Sequence, residues 1–267
     1  MPNITTRALL EMKEKGERIV ALTCYDALFA RLLDASGIDI LLVGDSLNQV
    51  LAGAAFTLSA TLEQMIYHTT IVRRGAERAM VICDMPFLTY QITPEDALRN
   101  CGRVMKETGC QAVKIEGGQP LAPTVRRLVD VGIPVMGHLG LTPQSVHALG
   151  GYRVQGRDDA TAERLKADAR ALEDAGAFAV VLELVPAALA SQITKALTIP
   201  TIGIGAGPAC DGQVLVVHDM LGLNDQFSAK FVKKYAALAE DVREAARLFA
   251  AEVREGRYPG PEHSFGK

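Results

Sequence analysis

The chain has 267 residues, with 31 acidic against 28 basic side chains and a formal charge of −3. A chain of this size buries roughly three quarters of its unfolded surface, which supports a full hydrophobic core and excludes disorder and stapled mini-scaffolds. With 49% hydrophobic and 22% charged residues there is no basic excess to draw nucleic acid or an anionic membrane, so small neutral-to-anionic partners are favoured. The cysteines (Cys24, Cys83, Cys101, Cys110, Cys210) are odd in number and lack a C-x-x-C pair, which argues against a zinc ribbon or a disulfide framework and for a reducing cytoplasm. The N-terminus has no apolar signal core and no apolar run approaches a membrane span, so a soluble cytoplasmic protein is expected.

In chain order, the pattern predicts a helix over 5–15, placed to plug the bottom of whatever follows it. Strands are predicted over 18–24, 38–44, 79–84, 112–116, 133–138, 178–183, 200–204 and 214–218. Amphipathic segments lie between them: 61–74 opens with the capping box Thr61/Gln64, and 94–107 with Thr93 before Pro94. Gly37, Gly109, Gly132 and Gly176 each stand where a helix gives way to a short apolar run, and read as left-handed helix-closing residues. A tail over 229–267 follows, helical to about 255 and then rich in Pro and Gly. Eight near-continuous apolar strands alternating with helices, without a linker, predict an α/β fold with one domain over 1–267: a (β/α)₈ TIM barrel with an extra N-terminal helix.

In a parallel barrel, strand ends and the loops after them build the active site. Here those ends read Gly44-Asp45-Ser46, Cys83-Asp84, Lys114-Ile115-Glu116, Gly137-His138, Leu182-Glu183 and His218-Asp219, so ionisable groups from six strands meet at one mouth. Asp45 and Asp84 at adjacent strand ends suit a hard oxygen-ligated ion such as Mg²⁺; each alone reads more readily as a helix N-cap, whereas the pair with Glu116 behind it favours the metal. Lys114 and Glu116 share one side of their strand and must pair structurally, ligate or bind substrate, because burying either charge singly costs several kcal/mol. Glu183 closes the apolar run FAVVLE and is the candidate proton acceptor, the alternative being an ion pair with Lys114. His138 reads equally as a structural or a catalytic histidine, in the latter case as a supporting group, and His218 and Asp219 as supporting groups at most. The run Gly203-Ile204-Gly205-Ala206-Gly207 fails the dinucleotide fingerprint, since Pro208 stands three residues after Gly205; it reads as an anion cradle or a tight turn.

These positions resemble the ketopantoate (3-methyl-2-oxobutanoate) hydroxymethyltransferases of pantothenate synthesis. The resemblance spans nearly the whole chain through TCYD (23–26), LLVGDSL (41–47), YHTTIVRRGA (67–76), VKIEGG (113–118), GHLGLTPQSV (137–146), GGYRVQGR (150–157), IGIGAG (202–207), DGQVLVVHD (211–219) and the tail YPGPEHSF. It implies a barrel of the phosphoenolpyruvate/pyruvate type, one Mg²⁺ per subunit on Asp45 and Asp84 with Glu116 at the metal, contacts from Asp45, Ser46, Asp84 and Lys114 to the 2-oxo acid, and Glu183 as the base. It also implies 5,10-methylenetetrahydrofolate as one-carbon donor and a homo-oligomer, often a decamer. The chain departs from the family after Leu47, where Asn48 replaces a usual glycine and AAFTLSAT replaces a segment commonly reading DSTLPVT, which leaves open the conformation of the 48–60 loop.

The expected chemistry is removal of the C3 proton of 3-methyl-2-oxobutanoate by Glu183, giving a Mg²⁺-stabilised enolate that attacks the one-carbon unit of the folate. His138, Tyr25 and the 137–157 loop are candidates for the folate-facing wall. The rival enzyme reading is a Mg²⁺-dependent C–C lyase or aldolase on a 2-oxo acid, and a rival of another class is a non-catalytic anion-binding barrel.

Overall fold

The computed structural model describes residues 3–266. Its strands are β1 (Ile19–Thr23), β2 (Ile40–Val43), β3 (Met80–Asp84), β4 (Ala112–Glu116), β5 (Val135–Gly140), β6 (Ala179–Glu183), β7 (Thr201–Ile204) and β8 (Gly212–Leu215). All neighbours run parallel, and β8 pairs back onto β1, with Ile19 opposite Gly212, to close an eight-stranded barrel in sequence order. The helices are α1 (Thr6–Lys15), α2 (Ala27–Ala35), α3 (Leu47–Val50), α4 (Leu62–Gly75), α5 (Pro94–Thr108), α6 (Ala122–Val129), α7 (Asp159–Asp174), α8 (Ala187–Ala196), α9 (Val217–Met220) and α10 (Leu238–Arg254).

The chain divides into two compact units, one running to Val216 and the other from Val217 onward. The first is the barrel. Its interior is packed by alternate strand residues, among them Ile40 and Leu42, Met80 and Ile82, Ala112, Met136, Ala179 and Val181, and Leu9 of α1 is buried in the same cluster. The N-terminal helix therefore supplies an apolar plug, as its pattern predicts. The expected capping chemistry is present: Thr61 and Gln64 bond reciprocally at the start of α4, Thr93 caps α5, and Gly37, Gly109, Gly132 and Gly176 have φ of 86°, 70°, 88° and 94°.

The predicted final strand is displaced. β8 covers 212–215 rather than 214–218, because the backbone of Ile19 comes so close that a Cβ on Gly212 would lie 2.5 Å from its carbonyl oxygen; only glycine admits that pairing. His218 and Asp219 consequently belong to the short helix α9 rather than to a strand end.

In the second unit the helix predicted from 229 begins only at Leu238. Backbone donors in the preceding turns are committed elsewhere, Tyr235 N to Met220 O at 2.8 Å and Leu238 N to Leu221 O at 3.1 Å, so no helical ladder forms there. Among the described residues no helix is long and apolar enough to cross a membrane.

Candidate active site

Period-two geometry carries the barrel interior directly into the polar mouth. Two residues beyond buried Ile82 comes Asp84, beyond Ala112 come Lys114 and then Glu116, beyond Met136 comes His138, and beyond Val181 comes Glu183. Strand register sets the pairs: Asp84 lies beside Lys114, Glu116 beside His138 and Gly140 beside Glu183. Four successive strands thus aim their charges at one place.

The contacts follow from that register. Lys114 Nζ lies 2.7 Å from Asp84 Oδ1 and 3.9 Å from Glu116 Oε1, with the Lys114 and Asp84 side chains each only 4% exposed. The same Nζ lies 3.1 Å from His138 Nδ1. His138 reaches Glu116 Oε1 at 3.4 Å through Nδ1 and Glu183 Oε2 at 3.2 Å through Nε2. Asp45 follows β2, and its backbone N–H donates to Asp84 Oδ2 at 3.3 Å. Ser46 Oγ makes a 2.9 Å hydrogen bond with Tyr25 Oη, so TCYD and GDS meet at the rim. The charged partner of Glu183 is His138; Lys114 is engaged by Asp84, Glu116 and His138 instead, which disfavours a Lys114–Glu183 pair.

Electrostatics mark the cluster as strained by negative charge. Burial, then the charges of Asp84 and Glu116, push Asp45 up to about 8, against the pull of Lys114 and a hydrogen bond from Gln144. Burial also lifts Asp84, against the pull of the facing Lys114. On Glu116, burial acts upward but is outweighed by His138 and Lys114, which hold it below the usual carboxylate range. For His138, burial and Lys114 push down, while Glu116 and Glu183 prevail and hold it at about 9. Nε2–H faces Glu183 both in that imidazolium and in the neutral tautomer whose Nδ1 accepts from Lys114. A buried ion cluster of this kind contributes little net stability, so its presence points to chemistry rather than to folding.

One residue that sequence reasoning missed organises the site. Gln144, 5% exposed, donates through Nε2 to Asp45 Oδ2 and to Met85 O, both at 2.9 Å, and through its backbone N–H to Glu116 Oε2 at 3.0 Å. Its Oε1 accepts from Tyr90 Oη at 2.6 Å and Gln91 Nε2 at 3.1 Å. Tyr90 Oη in turn accepts from Glu116 N at 3.1 Å. A lone glutamine within a loop motif carries no spacing signal; only its position inside GHLGLTPQSV marked it.

The divergent loop holds itself. Asn48 is buried, and its Nδ2 donates to Phe56 O at 2.7 Å and Ser59 Oγ at 2.8 Å, pinning the 51–61 segment back on α3. The 203–207 glycines serve close approach, since a Cβ on Gly207 would lie 2.5 Å from that of Ala187, which favours the tight-turn reading.

The donor set fits a hard dication. Its atoms are carboxylate oxygens with a surplus of negative charge, and Asp84 Oδ1 and Glu116 Oε1 are buried without a well-formed hydrogen bond, held only through ion pairs. Among the described residues no three His, Cys, Asp or Glu side chains gather into a metal-ligating group, so the fit is to the Asp45–Asp84 pair. Glu116 is turned toward Gln144 N and His138.

The family model described as ketopantoate hydroxymethyltransferase matches residues 3–261. The 3-methyl-2-oxobutanoate hydroxymethyltransferase of Chlorobaculum parvum is 53% identical over 269 residues, covering 99% of this chain and 97% of that protein. The protein of the same name from Syntrophotalea carbinolica is 55% identical over 261 residues, covering 98% of each. Among solved structures, 2,3-dimethylmalate lyase, a member of the PEP mutase/isocitrate lyase superfamily, aligns with TM-score 0.61 at 19% identity over 98% of this chain and 93% of its own. Phosphonopyruvate hydrolase in complex with oxalate and Mg²⁺ aligns with TM-score 0.64 at 12% identity, over 97% and 92%. At such identities these last two establish the barrel type alone.

Proposed function

The chain belongs to the ketopantoate hydroxymethyltransferase family, and on that premise we propose that it transfers a hydroxymethyl group from 5,10-methylenetetrahydrofolate to 3-methyl-2-oxobutanoate, giving 2-dehydropantoate. The observation that carries this reading is the gathering of buried Asp45, Asp84, Lys114, Glu116 and His138 with partly exposed Glu183 at one barrel mouth, with Lys114 2.7 Å from Asp84 and His138 3.2 Å from Glu183.

Asp45 and Asp84 would hold Mg²⁺, with Glu116 close by. Bound there, the ion supplies a Lewis acid that polarises the 2-oxo group and acidifies C3. Lys114 gives the site its fixed positive charge and balances the substrate carboxylate. Ser46, tied to Tyr25, offers a hydroxyl to the oxo acid. Glu183 takes the C3 proton; His138 at its flank fixes the carboxylate and offsets its charge. The deprotonated carbon then forms a C–C bond to the one-carbon unit as both N–CH₂ bonds of the folate break; water supplies the hydroxyl oxygen, the C3 proton and a proton of that water end on the folate nitrogens, and tetrahydrofolate leaves, so the folate is a cosubstrate consumed at each turnover.

We further infer a cytoplasmic homo-oligomer. In the second unit, Val242, Leu248, Phe249 and Val253 of α10 are exposed, the kind of apolar surface that assembly covers.

The reading is tested by solvent deuterium exchange at C3 of 3-methyl-2-oxobutanoate without folate. The parent enzyme with Mg²⁺ should catalyse it, and Glu183→Gln should lose roughly 10²–10⁴-fold while still binding the oxo acid. Exchange at the parent rate in Glu183→Gln would remove Glu183 as the base.

A further inference from the structure

We propose that the cavity lined by Arg153 and Arg157 beside the barrel mouth binds the glutamate carboxylates of the folate cosubstrate, an inference that rests on the folate-dependent reading above. The motif GGYRVQGR folds into the rim of a cavity of about 480 Å³ lined by residues 152–158 and Thr161. Tyr152 ties this cavity to the site: its hydroxyl accepts a 3.3 Å hydrogen bond from Gln49, on the helix that follows Asp45 and Ser46. Gln155 N donates to Leu184 O at 2.9 Å, fastening the same segment to the residue after Glu183. The wall of the cavity is therefore fastened to the segment that follows the base.

Charge identifies the occupant. The segments that follow the strands in the barrel unit (24–26, 44–61, 85–93, 117–121, 141–158, 184–186 and 205–211) contain no lysine or arginine other than Arg153 and Arg157. Among the described residues neither guanidinium has a side-chain hydrogen bond or ion pair, and both are exposed. The acidic residue in the cavity wall is already committed: Asp158 caps α7, accepting from Thr161 N at 2.9 Å and Thr161 Oγ1 at 2.8 Å. Two unpaired guanidinium forks thus line this cavity on an otherwise uncharged-to-acidic rim, and planar bidentate pairing with carboxylates is what such forks do best.

Geometry assigns the anion to the folate rather than to the oxo acid. The carboxylate of the oxo acid must lie deep, near Lys114. The folate must bring its one-carbon unit to the same depth, and its rigid benzoyl spacer then carries the glutamate outward to the rim. Tyr152, 49% exposed, presents a ring for the spacer to lie against on the way.

The test uses 5,10-methylenetetrahydropteroyl monoglutamate and triglutamate as cosubstrates with the parent enzyme, Arg153→Gln, Arg157→Gln, the double variant and the corresponding lysine variants. Loss of one charged hydrogen-bonding partner should raise KM for the triglutamate at least about tenfold, with a smaller rise for the lysine variants and kcat less affected than KM. The folate-free C3–H exchange of each variant reports its fold and its oxo-acid site separately. Glutamine variants that exchange normally yet keep the parent KM for both folates would overturn the cavity assignment and leave the proposed function intact. A parent enzyme that exchanges C3–H but consumes neither folate would overturn the folate reading itself, and the assignment with it.

Discussion

His138 sits with its Nε2 3.2 Å from Glu183 Oε2 and its Nδ1 3.4 Å from Glu116 Oε1, so one imidazole links the proposed base to the carboxylate behind the proposed metal-holding pair. The link is a product of register, because His138 is the partner of Glu116 on β4 and stands one pleat below Glu183 on β6. His138→Ala should leave oxo-acid binding largely intact. Folate-free C3–H exchange should fall by a substantial part of the roughly 10²–10⁴-fold that a positioned base supplies. Deuterium exchange followed by NMR checks it, and an unchanged rate would reduce His138 to a structural residue.

Gln144 satisfies Asp45, Glu116 and Tyr90 at once. Gln144→Leu strips the side-chain partners while keeping a similar volume, leaving buried polar groups unpaired at about 1–3 kcal/mol each. The expected outcome is a lower unfolding midpoint in urea together with a raised KM for the oxo acid; a shift in neither would mean that the glutamine holds nothing in place.

Gly140 has φ of +91°, and a Cβ there would lie 2.2 Å from Glu183 O. Gly140→Ala should therefore push the end of β6 away and displace Glu183, with backbone strain of about 1–3 kcal/mol in addition. Thermal denaturation should show the loss of stability, and C3–H exchange the loss of the base; parental values for both would contradict the contact.

Asp34 gives a pH signature remote from the site. Burial pushes its carboxyl up, but N–H donors from Arg78, Glu77 and Ala79, at 3.0, 2.8 and 2.7 Å, outweigh it and hold the pKa below the ordinary value. A depressed folded-state pKa means stability that is fully present above the unfolded pKa of about 3.9 and is lost as pH falls through the folded value. Asp34→Asn should thus destabilise the protein at pH 7 and flatten the acid side of its stability profile; urea titrations between pH 3 and 7, read against the parent, check both.

Much of the barrel was legible because its signals are local and periodic. Apolar runs following a helix-closing glycine marked strands, alternation put Lys114 and Glu116 on one face, and aspartates at adjacent strand ends marked the mouth. What escaped was set by partners distant in sequence. β8 moved to 212–215 because Ile19 lies against Gly212, and the last helix starts late because Tyr235 and Leu238 bond back to 220 and 221. Gln144 was invisible for the same reason: its importance lies in Asp45, Met85, Tyr90 and Glu116, none of which its own neighbours announce. The departure at Asn48 resolves into a loop anchored by Phe56 and Ser59.

The central claim is that Asp45 and Asp84 share a divalent ion whose binding is linked to that of the oxo acid. Isothermal titration of Mg²⁺ into the protein, with and without 3-methyl-2-oxobutanoate, tests it most directly. The account predicts that the oxo acid tightens Mg²⁺ binding, that Mg²⁺ tightens oxo-acid binding by the same factor, and that Asp84→Asn weakens both together. Mg²⁺ affinity left unchanged in Asp84→Asn, or indifferent to the oxo acid in the parent, would contradict it.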